Sequence, residues 1–422
     1  MKEKIKLLIV NEACQLEFFS RRWQLFAKEH PNVDVTLMIP SKSTWFKGTK
    51  YTFGKTFEVE GKPVDDNNYH VRTFKRIFKR TWLSKDYKKE FLRVQPDVVY
   101  HIGFHWQPSL CQVGNIVKKH LPNTKLILFS MRGPAFDLSN RHGLEKLIAT
   151  YVVKYVNKYY DAVFCHYPEA VNCFKREGYN GRIYIQTSVG VNTEWFFPNE
   201  EGGKEIRSKY NIPDDAFVFG SATRFSPEKG IDDIIAALPS EGNWKYLMMG
   251  SGTEEEINHL KALVKEKGID DKIIMPGYID RFEMAKYWNA INCAIHVPRT
   301  TQEWCETFSL AAIQPQAIKK PVIGNTSGSV PYQIGFPEMI VPEGDIESLK
   351  EKIVYIMTHK VEAKEIGEKM YDRTIHSFSV KHLNNMFYDT IMDDILNDTY
   401  DEKKVDMVYY NKTINHKNES TD

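Results

Sequence analysis

Strand-length apolar runs recur along the whole chain, each followed by a longer amphipathic stretch. In the first half the runs are IKLLIV, VDVTLMI, PDVVYHI, KLILFS and DAVFCH; in the second they are FVFGSA, KYLMMGSG, KIIMPG, CAIHVP and PVIGN. Between them lie segments with helical spacing, such as EFFSRRWQLFAKEH and GIDDIIAALP. A strand that is apolar throughout is buried on both faces, which calls for a parallel sheet covered by helices. Two such series in 422 residues exceed one ordinary core and predict two doubly wound, Rossmann-like α/β domains.

The boundary is expected near WFFPNEEGGKEIRSKY, where Pro198, Gly202 and Gly203 interrupt the pattern. This gives an N-terminal domain over 1–200 and a C-terminal domain over 201–380. The helical spacing of KHLNNMFYDTIMDDIL predicts a helix within about 380–410 that packs back on the first domain. Residues 411–422, NKTINHKNESTD, are expected to form a flexible tail. The first apolar run is too short for a signal-peptide core, and no run nears transmembrane length. Six scattered cysteines without a CxxC pair read as reduced thiols in the cytoplasm, not as a disulfide framework or zinc site.

The net charge of +2 is unevenly spread. Residues 1–200 hold 31 Lys/Arg against 19 Asp/Glu, and the remainder holds 26 against 36, so a +12 half is joined to a −10 half. Such asymmetry points to an anionic partner on one side only. Residues 72–93 concentrate it, with nine Lys/Arg against two acids, interleaved with Phe74, Phe78, Trp82, Tyr87 and Phe91. This stretch suits peripheral contact with anionic lipid headgroups, the aromatics entering the interface. A basic surface helix with its aromatics packed inward is the alternative. No nucleic-acid-binding motif accompanies the charge, so nucleic acid is not the expected partner.

The second half carries four short pieces with chemistry in them. FVFGSA runs into TRFSPEKG, which places Arg224 and Lys229 five apart across a turn at the carboxyl end of a buried strand, suited to a diphosphate. KYLMMGSG ends in Gly250-Ser251-Gly252, small enough for backbone to approach a ligand. MPGYIDRFEMAKYW puts Gly277 and Tyr278 at a strand end. CAIHVPRTTQEWCETFSLAAIQPQAIKKPVIGN reads as strand, loop, helix, strand, with Glu306 where the helix is expected to begin. The amides of Thr307, Phe308 and Ser309 would then be free donors at a helix N-terminus, a setting that favours phosphate oxygens. Taken singly, each piece also has an ordinary structural reading: a solvated basic loop, a tight turn, a packed tyrosine, an acid at a helix start.

In this order, over about residues 215–335, the four pieces resemble the C-terminal half of retaining GT-B glycosyltransferases, most closely glycosyltransferase family 4. That family shows R-x4-K-G, a strand ending in G-x-G, a P-G strand end, and a Glu-[Gly/Thr]-Phe-[Gly/Ser]-Leu start with a second Glu eight residues on. The resemblance implies a GT-B fold, two Rossmann-like domains facing across a cleft. It implies transfer of a hexosyl or N-acetylhexosaminyl group from a nucleoside-diphosphate sugar to a glycan or lipid-linked acceptor in polysaccharide or glycoconjugate synthesis, with retention and no cofactor or bound metal. Arg224 and Lys229 would hold the diphosphate, Glu306 the transferred sugar, and the Phe308-Ser309-Leu310 backbone phosphate or sugar. Gly250 and Gly252 would border the donor, and Gly277 and Tyr278 would edge the nucleobase. Gln314 stands where the family's ribose-binding acid is usual, and Tyr332 replaces a second acid in GSVPY. The Asp65-Asp66 and Asp214-Asp215 pairs read as turns, not as a metal-binding DxD.

The first half resembles the family more faintly, through VGVNTEWFFP and PDVVYHIGFHWQPSL. In the second segment His101 and His105 both qualify as the family's histidine near the donor sugar. The usual Gly-Gly loop after the first strand is replaced by NEACQLEFF, and Arg132 and Gly133 stand where another histidine is often found. Two rivals follow from the same residues: a non-catalytic nucleotide-sugar-binding subunit, suggested by Gln314 and Tyr332, and a GT-B nucleotide-sugar epimerase.

Overall fold

A computed structural model describes residues 4–46, 56–77, 82–134, 138, 141–400 and 405–410. The chain divides into two compact units, Met1–Trp45 with Glu58–Gly190 and Val380–Asp422, and Phe46–Phe57 with Val191–Ser379. Its strands are β1 (Ile5–Val10), β2 (Val33–Pro40), β3 (Lys42–Phe46), β4 (Thr56–Glu60), β5 (Val64–Asp66), β6 (Tyr69–Phe74), β7 (Val98–Ile102), β8 (Lys125–Phe129), β9 (Ala162–Cys165) and β10 (Arg182–Ile185). These are followed by β11 (Phe217–Arg224), β12 (Trp244–Ser251), β13 (Ile273–Gly277), β14 (Cys293–His296), β15 (Val322–Asn325) and β16 (Ile340–Val341). β3 and β4 pair separately as a two-stranded ladder.

The first unit is built on an eight-stranded sheet, ordered β10-β9-β8-β7-β1-β2-β6-β5. Its ladders are parallel apart from β5, which runs antiparallel to β6. The second unit has a six-stranded parallel sheet, β13-β12-β11-β14-β15-β16. In the unit's own count that order is 3-2-1-4-5-6, the doubly wound arrangement of Rossmann folds, with its reversal between β11 and β14. All ten apolar runs of the sequence are strands of these two sheets. β5, β6, β10 and β16 are shorter or alternate in character, which is why apolar continuity did not mark them.

The first unit's core gathers Trp23, Tyr100, Phe164 and Phe387, the last from the helix Val380–Asp389. Trp23 and Phe387 meet edge-on at 5.4 Å, and Tyr100 lies 4.8 Å from Phe387. Fully burying such a side chain contributes about 1.5–3 kcal/mol, enough to hold this last helix in the unit.

Two sequence expectations are corrected here. Gly202 and Gly203 do not break the chain; they lie in the helix Glu200–Lys209, whose start is capped by Asn199 accepting from the Gly202 amide at 3.0 Å. A Cβ at Gly203 would press on the Asn289 carbonyl, so glycine here permits close packing on the helix Met284–Ala290. Nor do Phe74, Tyr87 and Phe91 of the basic stretch 72–93 face outward. The described part of this stretch includes the end of β6, an isolated bridge between Arg76 and Ser84 and a helix, Asp86–Val94, and Phe74, Tyr87 and Phe91 are buried in the unit. Phe78 and the tail 411–422 lie outside the described residues. Among the described residues no helix is long and apolar enough to cross a membrane.

Candidate functional site

In a doubly wound sheet the strands on either side of the reversal send their following loops apart, opening a crevice at their carboxyl ends. In the second unit those strands are β11, which ends at Arg224, and β14, which ends at His296. After Arg224 the chain makes a short 3-10 turn, Pro227–Lys229, closed by Gly230 at φ 68°. A Cβ at Gly230 would overlap the Val297 carbonyl oxygen, so this turn rests directly on the chain leaving β14. The Arg299 amide donates to the Glu228 carbonyl at 2.9 Å, and the Arg299 guanidinium donates to the Asp233 carboxylate, tying the two loops together.

Within that frame Lys229 Nζ lies 2.9 Å from Glu306 Oε2. The Lys229 ammonium also sits 4.0 Å from the Trp304 ring centroid, a cation–π contact. His296 Nε2 approaches the same Glu306 oxygen at 3.6 Å. Burial pushes the Glu306 carboxyl up, but Lys229 and His296 together outweigh it, and it is held low, at about 2. Glu306 is therefore a buried carboxylate matched by neighbouring positive charge. Arg224 is the more open cation, its side chain 27% exposed, with Glu228 Oε1 at 3.4 Å.

The backbone of Glu306 is fixed from behind. Its carbonyl accepts from the Ser329 amide at 2.8 Å, and Gly328, at φ 49°, packs where any Cβ would overlap that carbonyl. The helix expected to start at Glu306 instead starts at Leu310 and lasts four residues, Leu310–Ile313. The Ser309 amide, expected to be a free donor, is taken by Gln333 Oε1 at 2.8 Å, while Gln333 Nε2 donates to the Ser309 carbonyl at 2.9 Å. So Glu306 sits in an irregular loop braced by the segment after β15, four residues ahead of the helix, and the Ser309 amide is already engaged. Phe308 and Tyr332 both lean edge-on against Phe378, at 5.9 and 6.1 Å.

Gln314 is buried, and its Oε1 accepts from the Trp288 indole at 3.1 Å. Gly250 pairs with Thr223 and Ser251 with Arg224 in the β11–β12 ladder, which sets the Gly250–Gly252 segment beside Arg224. Gly250 adopts φ 134°, where a Cβ would overlap the Thr223 carbonyl. Gly277 ends β13 at φ 82° with open space around it, and Tyr278 follows, 43% exposed.

In the first unit His101 lies inside β7 and His105 just beyond it, both sealed from solvent. Among the described residues neither ring nitrogen of His101 has a hydrogen-bond partner, and burial lowers its pKa to about 3. Burial likewise lowers His105 to about 4, with Glu177 opposing and Arg132 adding to the shift. His105 sits among the Arg132 guanidinium, Glu177 Oε2 at 3.4 Å and Ser130 Oγ at 3.4 Å. A cavity of about 920 Å3 lined by Lys6, Asp97 and Thr124 opens at the amino-terminal edge of this sheet, the edge opposite the one Rossmann folds use. Among the described residues no group of three His, Cys, Asp or Glu side chains is placed to hold a metal.

The structure thus brings Lys229 and Glu306 together, sets Arg224 and Gly250 at adjoining strand ends, and gives Gln314 an intramolecular partner. Sequence reasoning missed His296, Trp304 and Gln333. The signal for His296 was present: a lone imidazole closing CAIHVP, an otherwise apolar run whose carboxyl end meets the crevice.

Two Rossmann-like parallel sheets, with charged groups gathered at the second one's switch point, define the chain as a protein of the GT-B glycosyltransferase fold. HepE from Anabaena, solved in complex with UDP-glucose, superposes with a TM-score of 0.65 at 14% identity, covering 92% of this chain and 99% of that one. Residues 203–373, within the second unit, match the family described as glycosyl transferases group 1. Alpha-monoglucosyldiacylglycerol synthase from Streptococcus pneumoniae is 26% identical over 200 residues, 46% of this chain and 43% of that protein. The GDP-mannose-dependent monoacylated alpha-(1-6)-phosphatidylinositol monomannoside mannosyltransferase of Corynebacterium glutamicum is 23% identical over 236 residues, 53% of this chain and 56% of that protein. The chain therefore matches about half the length of these two relatives.

Proposed function

We propose that the protein is a retaining family 4 glycosyltransferase that moves a hexosyl or N-acetylhexosaminyl group from a nucleoside-diphosphate sugar to a glycan or lipid-linked acceptor. The observation that carries this reading is the Lys229–Glu306 pair at the switch point, beside Arg224. A diphosphate entering there meets the Arg224 guanidinium and the Lys229 ammonium. Charge developing on the leaving phosphate is met by side chains already in place, the role a divalent cation serves in other transferases. The bond from the anomeric carbon to the β-phosphate oxygen breaks, and a bond from that carbon to the acceptor hydroxyl oxygen forms on the same face. The acceptor proton passes to the departing phosphate, which leaves as the nucleoside diphosphate. Glu306, ionised at neutral pH, accepts from sugar hydroxyls and holds the ring over the phosphates.

The two relatives matched above are named for lipid acceptors, and UDP-glucose is the ligand named for HepE. They support a lipid-linked acceptor and a nucleotide-sugar donor; peripheral contact with an anionic membrane at its cytoplasmic face is the part of the proposal that such an acceptor would require. The test is release of nucleoside diphosphate from UDP-, GDP- and ADP-sugars, with and without glycolipid acceptors. Gln314, engaged by Trp288 in place of an open ribose-binding acid, favours a second reading, a non-catalytic nucleotide-sugar-binding subunit. Binding of a donor that is never cleaved with any acceptor selects that second reading; cleavage selects the first.

A further inference from the structure

The helix Gly143–Tyr159 follows β8 in the first unit, and its two faces are both apolar at helical spacing. One face, Ala149, Val152, Val153 and Val156, is buried in the unit. On the other, Leu144, Leu147, Ile148 and Tyr151 stand at i, i+3, i+4 and i+7, and they are 72%, 69%, 43% and 64% exposed. Single exposed leucines are ordinary, but four large apolar residues in one stripe mark a surface that is covered in use.

The surroundings of the stripe identify what covers it. Lys154 and Lys158 continue the same side of the helix toward its C-terminus, and Lys118, on the neighbouring helix Pro108–His120, lies 3.9 Å from the Tyr159 ring centroid. Residues 101–160 contain eight Lys/Arg and two Asp/Glu. An apolar stripe that gives way to lysines suits a bilayer surface. The leucines and tyrosine enter the headgroup–acyl boundary, and the lysine ammoniums lie among anionic headgroups while their stems run along the apolar layer. The helix is the next α-helix after β8, with thirteen residues between it and the carboxyl end of that strand, and Rossmann-like units receive ligands at the carboxyl ends of their strands.

We infer that Leu144, Leu147, Ile148 and Tyr151 form a membrane-docking stripe for an anionic phospholipid surface, with Lys154 and Lys158 supplying the charge contact. This inference rests on the transferase reading only in its choice of a membrane over other apolar occupants. It also relocates the apolar contact from 72–93, whose aromatics are largely internal, to 144–151.

The test is flotation of the full chain with phosphatidylcholine vesicles, with and without about one-third phosphatidylglycerol. Wild type is expected to float with the anionic vesicles and much less with the neutral ones. Leu147→Glu/Ile148→Glu should lower the bound fraction at least tenfold on anionic vesicles. Lys154→Glu/Lys158→Glu should lower it on anionic vesicles alone, and added salt should mimic that change. These side chains are exposed, so unchanged melting temperature and unchanged UDP binding certify the fold. Wild type that ignores anionic vesicles, or equal binding by Leu147→Glu/Ile148→Glu, overturns the inference. So does a concentration-dependent dimer that this variant dissolves, which would assign the stripe to a second copy. Failure of UDP binding in wild type would count against the transferase reading while leaving the vesicle result to stand by itself.

Discussion

Lys229 Nζ and Glu306 Oε2, 77 residues apart in sequence, meet at 2.9 Å and join the loop after β11 to the loop after β14. Without ligand, the carboxylate neutralises the cation assigned to the diphosphate. Glu306→Gln keeps an acceptor for Lys229 but removes the negative charge that a phosphate would face. The expected outcome is UDP or GDP affinity unchanged or up to about tenfold tighter, with turnover down at least about a hundredfold. Calorimetry and nucleoside-diphosphate release check the two halves of this outcome separately.

Removing the lysine instead leaves Glu306 facing His296 alone. An uncompensated buried charge costs about 3–5 kcal/mol, so Lys229→Ala should lower stability as well as binding. The double variant Lys229→Ala/Glu306→Ala should recover most of the stability without recovering diphosphate binding. Urea unfolding alongside UDP titration distinguishes a binding role from a purely structural pair.

Acid sensitivity is expected in the first unit. The unfolded-state pKa of a histidine is about 6.5, while burial holds His101 at about 3 and His105 at about 4. The unfolded chain therefore takes up these protons first. The stability they contribute is present above pH 6.5 and is lost as pH falls through 4 toward 3, by at least about 1 kcal/mol. His101→Leu should flatten that loss between pH 6.5 and 4.5, measured by denaturant midpoints. Glu306 has the same sign in a lower window: its contribution is present above pH 4.5 and is lost as pH falls toward 2. It should contribute nothing to a change between pH 7 and 5.

Gln314 gives a two-part expectation. Gln314→Leu strands the Trp288 indole N–H and should destabilise the second unit by about 1–3 kcal/mol. Gln314→Glu preserves that acceptor and adds a carboxylate able to accept from both ribose hydroxyls, so nucleoside-diphosphate affinity should rise. Unchanged affinity in Gln314→Glu would remove this residue from the donor site.

Much of the fold was legible because parallel strands buried on both faces write themselves as unbroken apolar runs, and ten such runs are ten strands. The local course of the chain at the site was less legible. ETFSLAAIQ reads as one helix with an acidic start, yet Gln333 takes the Ser309 amide and delays the helix to Leu310, a contact made 24 residues away. Gly202-Gly203 reads as a break, yet both lie within a helix and Gly203 is what lets that helix press on another. His296 was passed over because its role comes from Glu306, ten residues on, through a loop whose path no local pattern encodes. In the 72–93 stretch, composition gave the charge but not the inward direction of Phe74, Tyr87 and Phe91.

The central claim is that Arg224 and Lys229 jointly receive a diphosphate at the second unit's switch point. Isothermal titration of UDP and GDP into wild type, Arg224→Ala and Lys229→Ala tests it most directly. The account predicts that wild type binds at least one of the two, and that each variant loses about tenfold to a hundredfold in affinity. Wild-type affinity retained in both variants, with their folds intact, would contradict it.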